Sequence, residues 1–80
     1  MYAISLYQMQ KNLFLKKLGI RIREIRLKKG LSQVELASSI GKDQQSIQRL
    51  KRGNINPSIF YLNQVSEGLN VELDELVKKL

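Results

Sequence analysis

The chain of 80 residues contains no cysteine, no histidine and no tryptophan, and it has a single proline. Without cysteine it can form neither a disulfide framework nor a thiolate metal site. Without histidine it lacks the commonest metal ligand and the general base most used near neutral pH. No remaining nucleophile is arranged with a base. We therefore expect a protein that is not an enzyme, with no catalytic residue, metal or cofactor.

Long apolar runs are missing as well. No segment approaches the roughly 20 apolar residues that span a bilayer. The first ten residues, MYAISLYQMQ, lack the basic start of a signal peptide and are interrupted by Gln8 and Gln10. We expect no membrane partner, and the absence of cysteine fits the reducing cytoplasm.

Acidic residues are scarce where the chain is most basic. The net charge is +7, and residues 11–52 hold twelve lysines and arginines against three acidic residues. Residues 53–80 hold two lysines against four acidic residues. A basic segment attracts polyanions such as nucleic acids. The charge alone would also fit a solvated lysine-rich face.

Hydrophobic periodicity predicts an all-α fold of five helices and no strand, in one domain over residues 1–80. The first helix is predicted from about residue 10 to residue 29, and residues 1–10 form either an arm or an extension of it. Asn56-Pro57 is typical of a helix start, so the fourth helix is predicted from there to about Leu69. The predicted buried positions are Phe14, Leu18, Ile22 and Ile25 in the first helix, Leu36 and Ile40 in the second, Ile47 and Leu50 in the third, and Ile59, Leu62, Val65 and Leu69 in the fourth. The fifth helix carries the apolar residues Leu73, Leu76, Val77 and Leu80.

Capping residues predict where the second and third helices begin. In SQVE, Glu35 follows Ser32 by three residues, which is the spacing of a capping box. Asp43 is a good cap for the third helix, QQSIQRLKR. Glycines at 41 and 53 follow the two helices, where left-handed residues are favoured.

Ala37, Gly41 and Ile47 have the spacing of a helix-turn-helix. A small residue at 37 allows the helices to approach closely, Gly41 supports a tight reversal, and Ile47 fills the space between the helices. The second helix of such a motif enters the DNA major groove. This explains why residues 44–52 carry long amide and guanidinium side chains beside a thin apolar stripe.

Residues 18–76 resemble the Cro/phage-repressor (Xre) family of helix-turn-helix regulators. GLSQVELA matches the family pattern specifically, and QQSIQRL resembles the recognition helix of lambdoid phage repressors. The resemblance implies a compact five-helix bundle that binds operator DNA, usually as a dimer. We therefore expect a sequence-specific double-stranded DNA-binding regulator of transcription, a repressor acting as a homodimer on a pseudo-palindromic operator.

The resemblance also implies roles for individual side chains. Gln44, Gln45 and Arg49 match base-contacting positions, and glutamine can pair with adenine as arginine can with guanine. Phosphate contacts are expected from Gln33, Ser32, Lys42, Arg52, Asn54 and Asn56. The dimer interface is expected around the fourth and fifth helices, at Tyr61, Leu73, Val77 and Leu80.

One position departs from the family pattern. Many members carry a glutamate where this chain has Lys51, and that glutamate pairs with an arginine at the position of Arg26. Two cations would repel each other, so we expect Lys51 to turn outward and the usual role of Arg26 to change.

Other functions stay open at the level of sequence. The chain could be an antitoxin that neutralises a partner toxin and retains DNA binding, with residues 1–10 as the partner-binding arm. It could also be a phage regulator or a restriction-modification controller. RNA binding is disfavoured because the expected recognition helix carries no aromatic residue for base stacking.

Overall fold

The computed structural model describes residues 3–80, so Met1 and Tyr2 lie outside the described part. Five helices follow one another along the chain, and the described residues form no strand. The helices are α1 (Leu6–Lys28), α2 (Gln33–Ser39), α3 (Gln44–Arg52), α4 (Ile59–Leu69) and α5 (Leu73–Val77). The all-α prediction of a five-helix bundle is confirmed. No helix within residues 3–80 is long and apolar enough to cross a membrane.

The helix α1 begins four residues before the predicted start. The Ser5 side chain accepts a hydrogen bond from the backbone N–H of Gln8 at 3.1 Å, which caps the first turn. Residues 6–10 are therefore a helical extension and not an arm.

The buried face of α1 also differs from the predicted one. Leu15, Leu18 and Ile22 are buried, whereas Phe14 is 48% exposed. The prediction of Phe14 as a core residue is wrong. The other elements pack on the side of α1 that carries Leu15, and Phe14 lies about 100° around the helix from it.

The helix α4 begins at Ile59 and not at Asn56-Pro57, because the Ser58 side chain accepts the backbone N–H of Tyr61 at 3.0 Å and caps it. Ile59 is consequently the first helical residue, and it is 70% exposed. Its prediction as a buried residue is wrong. Leu62, Val65 and Leu69 do form the buried stripe.

The motif α2–turn–α3 has the packing that the spacing predicts. Ala37 and Ile47 are each 2% exposed. Gly41 has a φ of +68°, a left-handed conformation that L side chains rarely adopt. The N–H of Lys42 donates to the carbonyl of Ala37 at 2.9 Å, which closes the turn. The helices α2 and α3 are therefore joined by the tight turn that a helix-turn-helix requires.

The helix α3 packs mainly against α1 and α2. Gly19 allows the contact with α1, because a Cβ at this position would lie 2.5 Å from the carbonyl oxygen of Leu50 and closer still to that of Lys51. The C-terminal turn of α3 thus rests directly on the backbone of α1. This contact fixes the orientation of the face of α3 that points to solvent.

Candidate nucleic-acid interface

The helix α3 has two distinct faces. Ile47 and Leu50 are buried against the core. Opposite them, Gln45, Arg49 and Arg52 are exposed and follow one another at intervals of four and three residues, so they share one side of the helix. Gln44 and Gln48 flank this side. We call these five residues, Gln44, Gln45, Gln48, Arg49 and Arg52, the recognition face.

Gln48 is the member of the recognition face that the sequence analysis missed. It is half-buried and lies four residues after Gln44 and three after Gln45. These intervals place it between the two other glutamines along the helix surface. Helical periodicity applied to residues 44–52 would have identified it.

The start of α3 is rigidly capped. The Asp43 carboxylate accepts the backbone N–H of Ser46 at 2.8 Å, as the sequence predicts. The hydroxyls of Ser46 and Tyr61 lie 2.9 Å apart and form a hydrogen bond between α3 and α4. Two independent bonds therefore hold the turn of helix that carries Gln44 and Gln45.

Lys42 lies in the turn that precedes α3. Its ammonium nitrogen lies 5.1 Å from the centre of the Tyr61 ring, within the range of a cation–π contact. The side chain is exposed on its other side. Tyr61 thus supports both a residue of α3 and a cation of the preceding turn.

Tyr61 is only 8% exposed. Its hydroxyl contacts Ser46 and its ring contacts Lys42 of the same chain. The structure therefore gives it a different place from the dimer interface predicted by the sequence. Leu73 and Leu80 are half-buried and pack against the core, which leaves them little free surface. Val77 is 36% exposed and, among the four predicted interface residues, has the most accessible side chain.

The start of α2 forms the predicted capping box. The Ser32 side chain accepts the N–H of Glu35 at 3.0 Å, and the Glu35 carboxylate accepts the N–H of Ser32 at 2.9 Å. Hydrogen bonding from Ser32, first from its backbone N–H and then from its side chain, favours the ionised carboxylate and lowers the pKa of Glu35. Gln33 is the first helical residue and is half-buried, and Asn54 and Asn56 are exposed in the loop after α3.

Arg26 has an internal partner in place of the family's glutamate. It is 8% exposed, and its guanidinium donates to the carbonyl of Leu31 at 2.7 Å. Lys51 is half-buried on the flank of α3. Among residues 3–80 the one ion pair joins Lys78 to Glu75, so Arg26 holds the α1–α2 turn without a carboxylate.

Comparison with known proteins identifies the family. The model of the helix-turn-helix family matches residues 22–76, which include α2, α3 and α4 in full. The chain belongs to the helix-turn-helix family, in its Xre type. It is a transcriptional regulator with a helix-turn-helix DNA-binding domain.

Named relatives agree with this assignment. An uncharacterised HTH-type transcriptional regulator of Archaeoglobus fulgidus is 36% identical over 56 residues, which are 70% of this chain and 80% of the relative. A second such regulator, from Sinorhizobium fredii, is 36% identical over 62 residues, 78% of this chain and 80% of the relative.

Two crystal structures share the fold. The restriction-modification controller protein C.AhdI from Aeromonas hydrophila has a TM-score of 0.76 and 39% identity, over 78% of this chain and 94% of its own. The hypothetical transcription factor NHTF from Neisseria has a TM-score of 0.76 and 25% identity, over 96% of this chain and 86% of its own.

Proposed function

We propose that this helix-turn-helix protein represses transcription by binding, as a homodimer, to a pseudo-palindromic operator. The observation that carries the proposal is the recognition face, in which Gln45, Arg49 and Arg52 are exposed on the side of α3 opposite the buried Ile47 and Leu50. Its width is that of one α-helix, which the major groove of B-DNA admits.

Specificity would come from the recognition face and affinity from the groups around it. Gln44, Gln45 and Arg49 contact base edges, with Gln48 as a fourth candidate, and each good bidentate pair contributes about 1–3 kcal/mol of discrimination. Phosphate contacts come from Arg52 and Lys42 beside α3, from Asn54 and Asn56 in the loop after it, and from Gln33 and Ser32 at the start of α2. These contacts set the register on the duplex.

Two copies are needed because one recognition helix reads too few base pairs for selective binding. Among the predicted interface residues, Val77 has free surface, and the start of α4 adds Ile59 and Phe60, which are 70% and 67% exposed. We assign the dimer contact on DNA to this region of α4 and α5. The similarity to a restriction-modification controller supports control of transcription as the outcome of binding.

The test is selection of random duplex DNA by the purified protein, followed by measurement of binding to the selected sites at several salt concentrations. An enriched inverted repeat, bound with a steep salt dependence, is the expected result. Enrichment of a single half-site would contradict the dimer. No enrichment, with weak and salt-sensitive binding only, would contradict sequence reading and favour the antitoxin alternative, in which the chain binds a partner protein.

A further inference from the structure

The helix α1 meets the C-terminal end of the recognition helix at two close backbone contacts. In the first, Gly19 of α1 lies against the carbonyls of Leu50 and Lys51. In the second, a Cβ at Gly53 would lie 2.9 Å from the backbone nitrogen of Lys16. Moving along α1 from Gly19 back to Lys16 thus corresponds to moving along α3 toward its end. The two helices run in opposite directions here, and the amino-terminal half of α1 extends past the end of α3.

The end of α3 holds Gly53 and the loop after it in fixed positions. Gly53 has a φ of +73° and is the C-cap of the helix. The N–H of Asn54 donates to the carbonyl of Arg49 at 3.0 Å, which folds the chain back onto the last turn of α3. Lys16 therefore lies beside the start of this loop, next to the end of the recognition face.

The loop brings no cation to this end of the recognition helix. After Arg52, residues 53–66 contain no charged side chain. Asn54 and Asn56, to which we assign phosphate contacts, are neutral. Lysine and arginine release counterions when they neutralise phosphates, whereas neutral amides only position the duplex. At the opposite end of α3, the preceding turn supplies a cation in Lys42.

Lys16 places a positive charge at the end where the loop has none. Its side chain is exposed, and it lies three residues before Gly19, on the side of α1 that contacts α3. The residues three and four positions away from it on α1 are all uncharged. Within residues 3–80 the one ion pair joins Lys78 to Glu75, so no carboxylate of this range neutralises Lys16. Its flexible four-carbon stem allows the ammonium group to extend toward a phosphate.

We propose that Lys16 contacts the phosphate backbone of the operator beside Asn54, at the C-terminal end of α3. Lys42 and Lys16 then bind phosphates at opposite ends of the recognition helix. The contact carries no sequence information, and it fixes the register of α3 in the groove. It rests on the proposed function, because it extends the same DNA interface to α1, which lies outside the helix-turn-helix motif.

The neighbouring Lys17 offers a matched control. It has the same charge and is also exposed, so removal of either lysine changes the net charge by the same amount. Lys17 lies two residues before Gly19, and side chains at that interval do not face the same way on a helix. It lines a surface depression together with Lys79 and Leu80, at the end of the chain. Lys17 is therefore directed away from α3.

The experiment measures binding to the selected operator and to random duplex DNA at several salt concentrations. Lys16→Ala should lower the slope of log affinity against log salt by about one for each bound copy, on both DNAs alike. Lys16→Arg should keep the slope of the parent protein, because it keeps the charge. Lys17→Ala should also keep that slope.

The parent protein separates failure of this proposal from failure of the proposed function. A parent that binds neither DNA would overturn both. A parent with a steep salt slope, together with an equally steep slope for Lys16→Ala, would overturn the Lys16 contact alone. Equal decreases for Lys16→Ala and Lys17→Ala would assign the effect to net charge and would likewise overturn the contact.

Directed cleavage of the DNA tests the position of residue 16 without relying on affinity. Because the chain lacks cysteine, a single introduced cysteine can carry an iron–EDTA group that cleaves the nearby DNA backbone. We expect Lys16→Cys to direct cleavage of the operator to the same nucleotides as Asn54→Cys, and Lys17→Cys to direct none there. Cleavage from Lys16→Cys at other nucleotides, or equal cleavage from Lys16→Cys and Lys17→Cys, would overturn the proposal.

Discussion

The hydroxyl oxygens of Ser46 and Tyr61 lie 2.9 Å apart, and this hydrogen bond joins the start of the recognition helix to α4. The same Tyr61 ring lies 5.1 Å from the ammonium group of Lys42. One buried side chain therefore supports the first turn of α3 and the turn that precedes it.

Removal of the Tyr61 hydroxyl tests the first of these roles. Tyr61→Phe keeps the ring beneath Lys42 but leaves the part-buried Ser46 hydroxyl without its partner, so we expect a loss of about 1 kcal/mol in the free energy of unfolding. Urea unfolding of Tyr61→Phe, Ser46→Ala and the double variant gives the coupling between the two residues. Fully additive losses would show that the hydrogen bond contributes nothing to stability.

Arg49 and Lys42 should affect DNA binding in different ways. Arg49→Ala should cost about 1–3 kcal/mol at the selected operator and much less on random DNA, because it removes a base contact. Lys42→Ala should weaken binding to both DNAs alike and lower the slope of log affinity against log salt by about one. DNA-binding titrations of both variants, with the selected operator and with random DNA, measure these losses of affinity. Equal losses of Arg49→Ala on the two DNAs would contradict the assignment of α3 as the recognition helix.

Gly19 should tolerate no side chain. In Gly19→Ala the new Cβ meets the carbonyl oxygens of Leu50 and Lys51, and both belong to the backbone of α3. The two helices must then separate, and we expect a loss of about 3 kcal/mol in the free energy of unfolding. Gly30→Ala is the matched control. It has a φ of +72° but open space around its Cβ, so it should lose only about 1 kcal/mol. Similar melting curves for the two variants would contradict the close packing of α1 on α3.

Glu35 should make a small contribution to the acid sensitivity of the protein. Its pKa is lowered in the folded chain by the hydrogen bonds from Ser32. A carboxyl group whose pKa is lower in the folded than in the unfolded state stabilises the fold at pH values above its unfolded pKa. That stability is lost as the pH falls through the folded pKa. Thermal unfolding between pH 6 and pH 3 should therefore show a smaller decrease for Glu35→Gln, whose amide keeps the capping bond without titrating. Identical pH profiles of the two proteins would contradict this role.

Local signals made much of the fold predictable. The capping box of Ser32 and Glu35, the cap at Asp43 and the left-handed Gly41 involve residues within a few positions of one another, so a short stretch of sequence specifies them. The exposure of Gln45 and Arg49 follows from the same kind of information, since helical periodicity places them opposite Ile47 and Leu50. The family resemblance rests on these same residues, and the all-helical fold was therefore predictable from the sequence.

Only the tertiary structure determines which of several chemically similar residues is buried or hydrogen-bonded. Phe14 and Leu15 are both apolar neighbours on α1, and only the direction from which α3 approaches determines that Leu15 is buried. The sequence predicted Tyr61 in a dimer interface, whereas in the structure it is buried and its hydroxyl bonds to that of Ser46, fifteen residues away. The Arg26 bond to the Leu31 carbonyl replaces an ion pair that the sequence lacks. The burial of Leu15 and the bond of Tyr61 depend on contacts between separate helices, and periodicity within one helix contains no information about its neighbours.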